Sequence, residues 1–246
     1  MSVQDKTVVL AGVGRARQVG DSLAHAFARA GARLVLLGRN AAEVERCARE
    51  IAERGGRATA HRCDLTDEPQ VAAVARLVHD ATGGRVDALV NVAGGFASSG
   101  PVGESDPSVL AGQLALNLTT AYLATRAFLP LLRPARGSVV YFASAAVLPG
   151  AHGARVSAYA AAKAGVLALM RAVAEEERAA GVRANAVAPG SIRTGDNERA
   201  MGEGVRYVER DAVADAVLFL CSDAARAVTG QTIELRGTGS EARGTR

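Results

Sequence analysis

Short, continuously apolar, β-rich runs alternate with helix-patterned stretches along almost the whole chain, and this alternation restricts the fold more than any other feature. Strands are predicted over residues 7–11, 33–37, 59–63, 88–92, 138–142, 183–187 and 232–235. Helices are predicted between them over residues 21–30, 41–54, 68–81, 107–132, 156–180 and 211–221. A strand apolar on both faces must be covered on both faces, and parallel neighbours need a crossover between them. The pattern predicts an α/β chain: one doubly wound parallel sheet of about seven strands, with helices on both faces, in a single domain over residues 1–246. Such sheets hold their ligands in the crevice at the carboxyl ends of the strands. The 107–132 helix is apolar nearly all round, which predicts burial on more than one side, with a second subunit as one possible cover.

The 246 residues are 49% hydrophobic but only 4% aromatic, with no tryptophan, so the core must be built from alanine, valine and leucine. Net charge is +4. The charges of both signs are interspersed, and no Lys/Arg block with interleaved aromatics occurs, which argues against a nucleic-acid partner. Cys47, Cys63 and Cys221 are scattered without a Cys-x-x-Cys, and His25, His61, His79 and His152 lack ligand spacing, so neither a disulfide framework nor a metal site is expected. The first residues carry no apolar leader, and no run approaches the ~18 apolar residues of a membrane span. A cytoplasmic protein without a membrane partner is the expectation. Residues 237–246 are polar and glycine-rich and are expected to be mobile at their end.

Charge chemistry singles out one position. The chain has two lysines, Lys6 and Lys163, against twenty-seven arginines. Lys163 follows Tyr159 by four residues, the spacing that puts two side chains on one helix face. An ammonium is a compact charge with three rotatable donors, unlike the planar guanidinium fork. Beside a phenol it favours the phenolate and lowers its pKa from about 10. A tyrosine tuned in this way can exchange a proton with a substrate oxygen.

The first strand runs into Gly12-Val13-Gly14-Arg15-Ala16-Arg17-Gln18-Val19-Gly20 and then a helix. Glycines at such a turn let the backbone approach a pyrophosphate, and the helix start offers amide donors. The second strand ends Leu37-Gly38-Arg39-Asn40. A carboxylate there would bind a ribose 2′-hydroxyl and repel a 2′-phosphate, and none is present. Arg39, with Arg15 or Arg17, could grip a 2′-phosphate instead, so NADP(H) is favoured over NAD(H).

With these motifs in this order, the chain resembles the short-chain dehydrogenase/reductase superfamily, and within it the 3-oxoacyl-ACP reductase-like members. The likeness covers about residues 6–237 and implies the Rossmann-like form of the doubly wound sheet. Asp64-Leu65 resembles the family's adenine contact. Asn91-Val92-Ala93-Gly94 resembles its Asn-Asn-Ala-Gly element beside the cofactor. Asn117, Ser144, Tyr159 and Lys163 match its catalytic set. Pro189-Gly190-Ser191-Ile192-Arg193-Thr194 resembles the segment around the nicotinamide, with Thr194 at the carboxamide.

The resemblance implies hydride transfer between nicotinamide and a carbonyl or secondary alcohol, with Tyr159 as proton donor or acceptor. Lys163 would tune the phenol and bond ribose hydroxyls, Ser144 would hold the substrate oxygen, and Asn117 would hold a water in a proton path. Phe96, Leu148, His152 and Tyr207 are candidate substrate-pocket residues. A dimer or tetramer is the family's natural assembly. The chain departs from the pattern in a lengthened glycine turn with Gln18 in place of the middle glycine, Val92 for the second asparagine, and a short lid over about residues 195–210. An enoyl reductase fits less well, because that branch usually spaces its tyrosine and lysine more widely, although its glycine turn is similarly long. The alternatives are a pterin, imine or quinone reductase, or a weakly catalytic NADP(H)-binding sensor or assembly protein.

Overall fold

The structure, a computed structural model, describes residues 2–151 and 153–237. His152 and residues 238–246 lie outside the described residues, and with them the expectations of a substrate role for His152 and of a mobile tail.

The chain begins with β1 (Thr7–Ala11), α1 (Val19–Arg29), β2 (Arg33–Gly38), α2 (Ala41–Glu53), β3 (Arg57–Arg62), α3 (Glu68–Thr82) and β4 (Ala88–Asn91). It continues through α4 (Pro107–Leu114), a π-helical turn (Ala115–Thr119), α5 (Thr120–Leu132), β5 (Ser138–Phe142), α6 (Ser157–Glu176) and β6 (Arg183–Pro189). It ends with α7 (Gly195–Met201), α8 (Arg210–Cys221) and β7 (Thr232–Leu235). The strands lie in the order β3-β2-β1-β4-β5-β6-β7, and every pair is parallel. The order reverses between β1 and β4, which places the ligand crevice of a doubly wound sheet at that pair.

Strand alternation builds two cores. Val9, Ala11, Val139 and Tyr141 face one layer, where Phe128 and Leu132 of α5 and Met170 of α6 pack. Val8, Leu10, Val140 and Phe142 face the other, against Phe27 of α1, Ile51 of α2 and Leu220 of α8. The small inward residues Ala184, Ala186 and Ala188 of β6 let α6 pack close to the sheet.

Two helices differ from the sequence reading. The predicted 107–132 helix is interrupted by the π turn at Ala115–Thr119. Such wide turns insert a residue into a helix and concentrate at functional positions. The predicted 156–180 helix stops at Glu176, where the Glu177 carboxylate turns inward to Arg133 at 2.6 Å. Nor is the 107–132 segment covered all round within one chain: Leu110 is 43% and Tyr122 53% exposed. No helix among the described residues is long and apolar enough to cross a membrane.

Phe128 is wholly buried in the first core. Phe128→Ala is expected to cost about 3–5 kcal/mol in urea denaturation. Leu77→Ala, at a side chain that is 57% exposed, is expected to stay within about 0.5 kcal/mol of the parent.

Candidate active site

The site begins where β1 ends. Gly12 turns at φ +123°, and a Cβ there would lie 2.3 Å from the Ala93 nitrogen. Only glycine fits this crossing of two chains. Val92 and Ala93 both donate backbone N–H to the Ala11 carbonyl, at 3.0 and 2.8 Å, which brings the Asn91–Gly94 element beside the glycine turn. Gly14 has open space where a side chain would stand.

A groove of about 520 Å³ follows, lined among others by Gly14, Val19, Gly38, Arg39, Asp64 and Leu65. Gly12, Gly20, Ala93 and Gly94 also line it. The N-terminal turn of α1 opens on the same space; Gln18 at its start makes no side-chain cap. Free amide donors, a glycine floor and an arginine at the end of β2 are the donor set a dinucleotide's phosphates require. The residues present therefore fit a nicotinamide dinucleotide, and Arg39 stands in the groove at the end of β2. Among the described residues Arg39 has no acidic ion-pair partner.

Arg15 and Arg17 take different places: Arg15 lines the groove and Arg17 does not. Arg15 Nη2 pairs with Asp196 of α7 at 2.5 Å, so it bridges the glycine turn to the lid. Arg17 takes a left-handed φ of +62° and lines a second cavity, between turn and lid, instead of the groove. Asp64 is not the cap of α3: Asp67 accepts from Gln70 N. Asp64 Oδ1 accepts instead from the N–H and hydroxyl of Thr66, at 2.9 and 2.7 Å, and these bonds hold its carboxyl below the usual range.

The reactive side chains meet at the ends of β4 and β5. Asn117, in the π turn and 1% exposed, grips the Gly95 peptide from both sides. Its Oδ1 accepts from Gly95 N at 3.1 Å and its Nδ2 donates to Gly95 O at 3.0 Å. Buried Gln113, one helical turn earlier, accepts from Nδ2 through its carbonyl and its side-chain oxygen. A Cβ on Gly94 would lie 2.7 Å from Asn117 Oδ1 and 3.3 Å from Lys163 Nζ, so both groups face that glycine. Lys163 Nζ donates to the Phe142 carbonyl at 2.7 Å and lies 5.8 Å from the centre of the Tyr159 ring. Ser144 follows β5, is buried, and accepts from Ala146 N at 3.2 Å.

The titration of this pair differs from the sequence argument. Burial pushes the Tyr159 phenol above its ordinary value, and hydrogen bonding with Ser144 acts in the opposite direction. Burial also brings the Lys163 ammonium down to about 8. Desolvation penalises both charged forms, and at this separation it outweighs the attraction expected from the ammonium.

Other expected residues spread around this centre. Phe96 meets Tyr159 edge-to-face, with ring centres 5.2 Å apart, and is 66% exposed. Leu148 packs against the first core. Tyr207 borders the cavity between turn and lid; its ring is buried, and its hydroxyl donates to the Gly202 carbonyl at 2.7 Å with the Asn197 carbonyl at 3.1 Å, so it anchors the lid. Thr194 caps α7 by accepting from Asn197 N at 3.2 Å, which leaves its own hydroxyl proton free to donate. Gly190 N–H donates to the Leu235 carbonyl and Ile192 bridges to Val208, which fixes the segment that follows Pro189; none of Pro189, Gly190 and Ile192 lines the groove. Asn91 lies in a buried chain, donating to Thr125, whose hydroxyl meets that of Tyr141.

Sequence reasoning missed Gln113, Asp196 and Asp21. Gln113 carried a signal, since it stands four residues before Asn117 on one helix face. The others act through turns whose shape no local pattern announces.

Residues 12–237 match a family model described as Enoyl-(Acyl carrier protein) reductase. The chain is 31% identical to 2-(S)-hydroxypropyl-CoM dehydrogenase 3 of Xanthobacter autotrophicus, over 96% of this chain and 98% of that protein. A solved 7α-hydroxysteroid dehydrogenase complexed with NADH and 7-oxo glycochenodeoxycholic acid superposes with a TM-score of 0.88 at 28% identity, covering 97% of this chain and 95% of that one. A structure from Beutenbergia cavernae with NADP at low occupancy, provisionally assigned as a gluconate 5-dehydrogenase, gives a TM-score of 0.84 at 34% identity, covering 95% and 96%. Sheet order, glycine turn and family match agree, and the chain belongs to the short-chain dehydrogenase/reductase family of NAD(P)-dependent oxidoreductases.

Proposed function

We propose that this chain is an NADP(H)-dependent oxidoreductase that interconverts a small-molecule carbonyl and the corresponding secondary alcohol, with Tyr159 as the general acid/base. The observation that carries this reading is the state of Lys163. Its ammonium is 5% exposed and has no carboxylate partner among the described residues. One of its three donors is spent on the Phe142 carbonyl, and the others face the groove floor at Gly94. A buried unpaired cation costs stability and persists where function requires it.

The coenzyme, when bound, supplies the hydride chemistry. Lys163 holds the ribose hydroxyls with its remaining donors. Tyr159 carries its phenol proton until the substrate oxygen accepts it. Ser144 donates to that same oxygen, a bond that strengthens as negative charge grows there. Thr194 offers its free hydroxyl proton to the carboxamide. Phe96 lies against Tyr159 and keeps water from one side of the phenol. Ser144 beside Tyr159, with the four-residue step to Lys163, favours a carbonyl over an enoyl substrate. Arg39 supports the 2′-phosphate coenzyme. The partly exposed Leu110 and Tyr122 on α4 and α5 support a homo-oligomer that covers them.

Four measurements test this reading. Tyr159→Phe should lower kcat for NADPH-dependent reduction of a ketone panel about 10²–10⁴-fold with coenzyme binding retained; unchanged turnover would end the assignment. Reduction requires the protonated phenol, and burial raises its pKa. The reductive kcat/KM should therefore hold steady across neutral pH and fall only on the alkaline side, while the oxidative rate rises there. Arg39→Ala should raise the KM for NADPH about tenfold and leave that for NADH nearly unchanged, as loss of one charge-assisted contact predicts.

The fourth concerns stability. The folded pKa of Lys163 lies below the unfolded one, so the native state pays for a desolvated ammonium below pH about 8. Stability then rises as pH climbs from there toward the unfolded value. Lys163→Met should therefore raise the melting temperature at pH 7 while abolishing turnover, with the stability gain shrinking by pH 10. A variant less stable than the parent at pH 7 would contradict this.

A further inference from the structure

The lengthened glycine turn contains a reversal that glycine does not make. Arg17 adopts a φ of +62°, in the left-handed region that side chains other than glycine seldom enter. This reversal divides the turn: residues 12–15 and 18–20 line the dinucleotide groove, while Ala16 and Arg17 face the lid cavity. Both peptide groups of Arg17 are held by charged side chains. Its N–H donates to Asp21 Oδ2 at 2.8 Å, and its carbonyl accepts from Arg210 Nη1 of α8 at 2.5 Å.

Asp21 is an unusual anchor. It sits in the first turn of α1, where a carboxylate would normally face the helix's own amides and compete with a bound phosphate. Here it is 5% exposed and outside the groove lining. Its second oxygen accepts from Arg46 Nη2 of α2 at 2.8 Å, and Arg46 is itself forked to Glu43 and Glu50. His25 Nε2 lies 3.2 Å from Glu50 and 3.9 Å from Asp21. Cys47 completes the group: the ligand-type atoms of Asp21, His25 and Cys47 lie within 4.8 Å of one another. A metal is not what this cluster calls for, because the guanidinium already supplies the cation and burial pushes the Cys47 thiol up to about 12.

We propose that Asp21 is a positioning residue for the dinucleotide: it fixes the reversal at Arg17 from beneath, and Arg46 neutralises it so that a buried carboxylate does not repel the phosphates above. The inference rests on the oxidoreductase reading, because it assigns that groove to a dinucleotide. Asn at position 21 retains an acceptor for the Arg17 N–H without the charge. Gln at position 46 leaves the Asp21 charge uncompensated.

Amide hydrogen exchange on the ligand-free protein and fluorescence-detected binding of NADPH and NADH test it together. Asp21→Ala should speed exchange of the residues 12–20 peptide about tenfold or more, and weaken both coenzymes about tenfold with their ratio and the saturated kcat retained. Asp21→Asn should keep most of the protection. Arg46→Gln should weaken both coenzymes, and the double variant Asp21→Asn/Arg46→Gln should regain most of that affinity, a recovery that a merely structural ion pair would not produce. The proposal is overturned if Asp21→Ala loosens the turn without changing coenzyme affinity, if it leaves turn exchange unchanged, or if the double variant binds no better than Arg46→Gln. A parent protein that binds neither coenzyme overturns the oxidoreductase reading itself, and the role given to Asp21 with it.

Discussion

Parallel pairing is the constraint from which the rest of this molecule follows. Because every strand of the sheet runs the same way, every chain leaving a strand's carboxyl end arrives at one edge. The glycine turn after β1, the Asn91–Gly94 element after β4 and Ser144 after β5 are remote in sequence and neighbours in space for that reason alone. The reversal of strand order between β1 and β4 parts the helices there and leaves room for a groove. Chemistry at this edge needs no special loop architecture, only residues of the right type at the ends of central strands.

What the edge does with charge is governed by burial more than by attraction. Tyr159 and Lys163 were expected to help each other ionise, yet the same packing that orients them withdraws water from both. The ammonium donates to the Phe142 carbonyl and lies 5.8 Å from the centre of the Tyr159 ring. Ser144 is the neighbour that eases the phenol's ionisation directly.

The sheet was legible in the sequence because its strands are continuously apolar and its helices carry a different period. Strand positions agree to within a residue or two, and the excess at β6, which runs on to Pro189, reflects pairing with β7 that no local signal encodes. The Tyr159–Lys163 pair was legible because helical spacing is a local property. The π turn was not: residues 115–119 read as ordinary helix, and the partner of Asn117 at the turn is the Gly95 peptide, remote in sequence. The partner of Arg15 was not legible for a similar reason: the lid acid that pairs with it stands 181 positions away.

That Arg15–Asp196 pair gives the groove a property of its own. Asp196 borders both cavities and also takes Arg199. An arriving phosphate thus competes with a carboxylate already in place, and its gain is the difference between two partners for one guanidinium. Both side chains are substantially exposed, so dissolved ions screen the contact. Rising ionic strength weakens this pairing of turn and lid and also the pull on an anion that would replace it, and the two effects are opposite in sign.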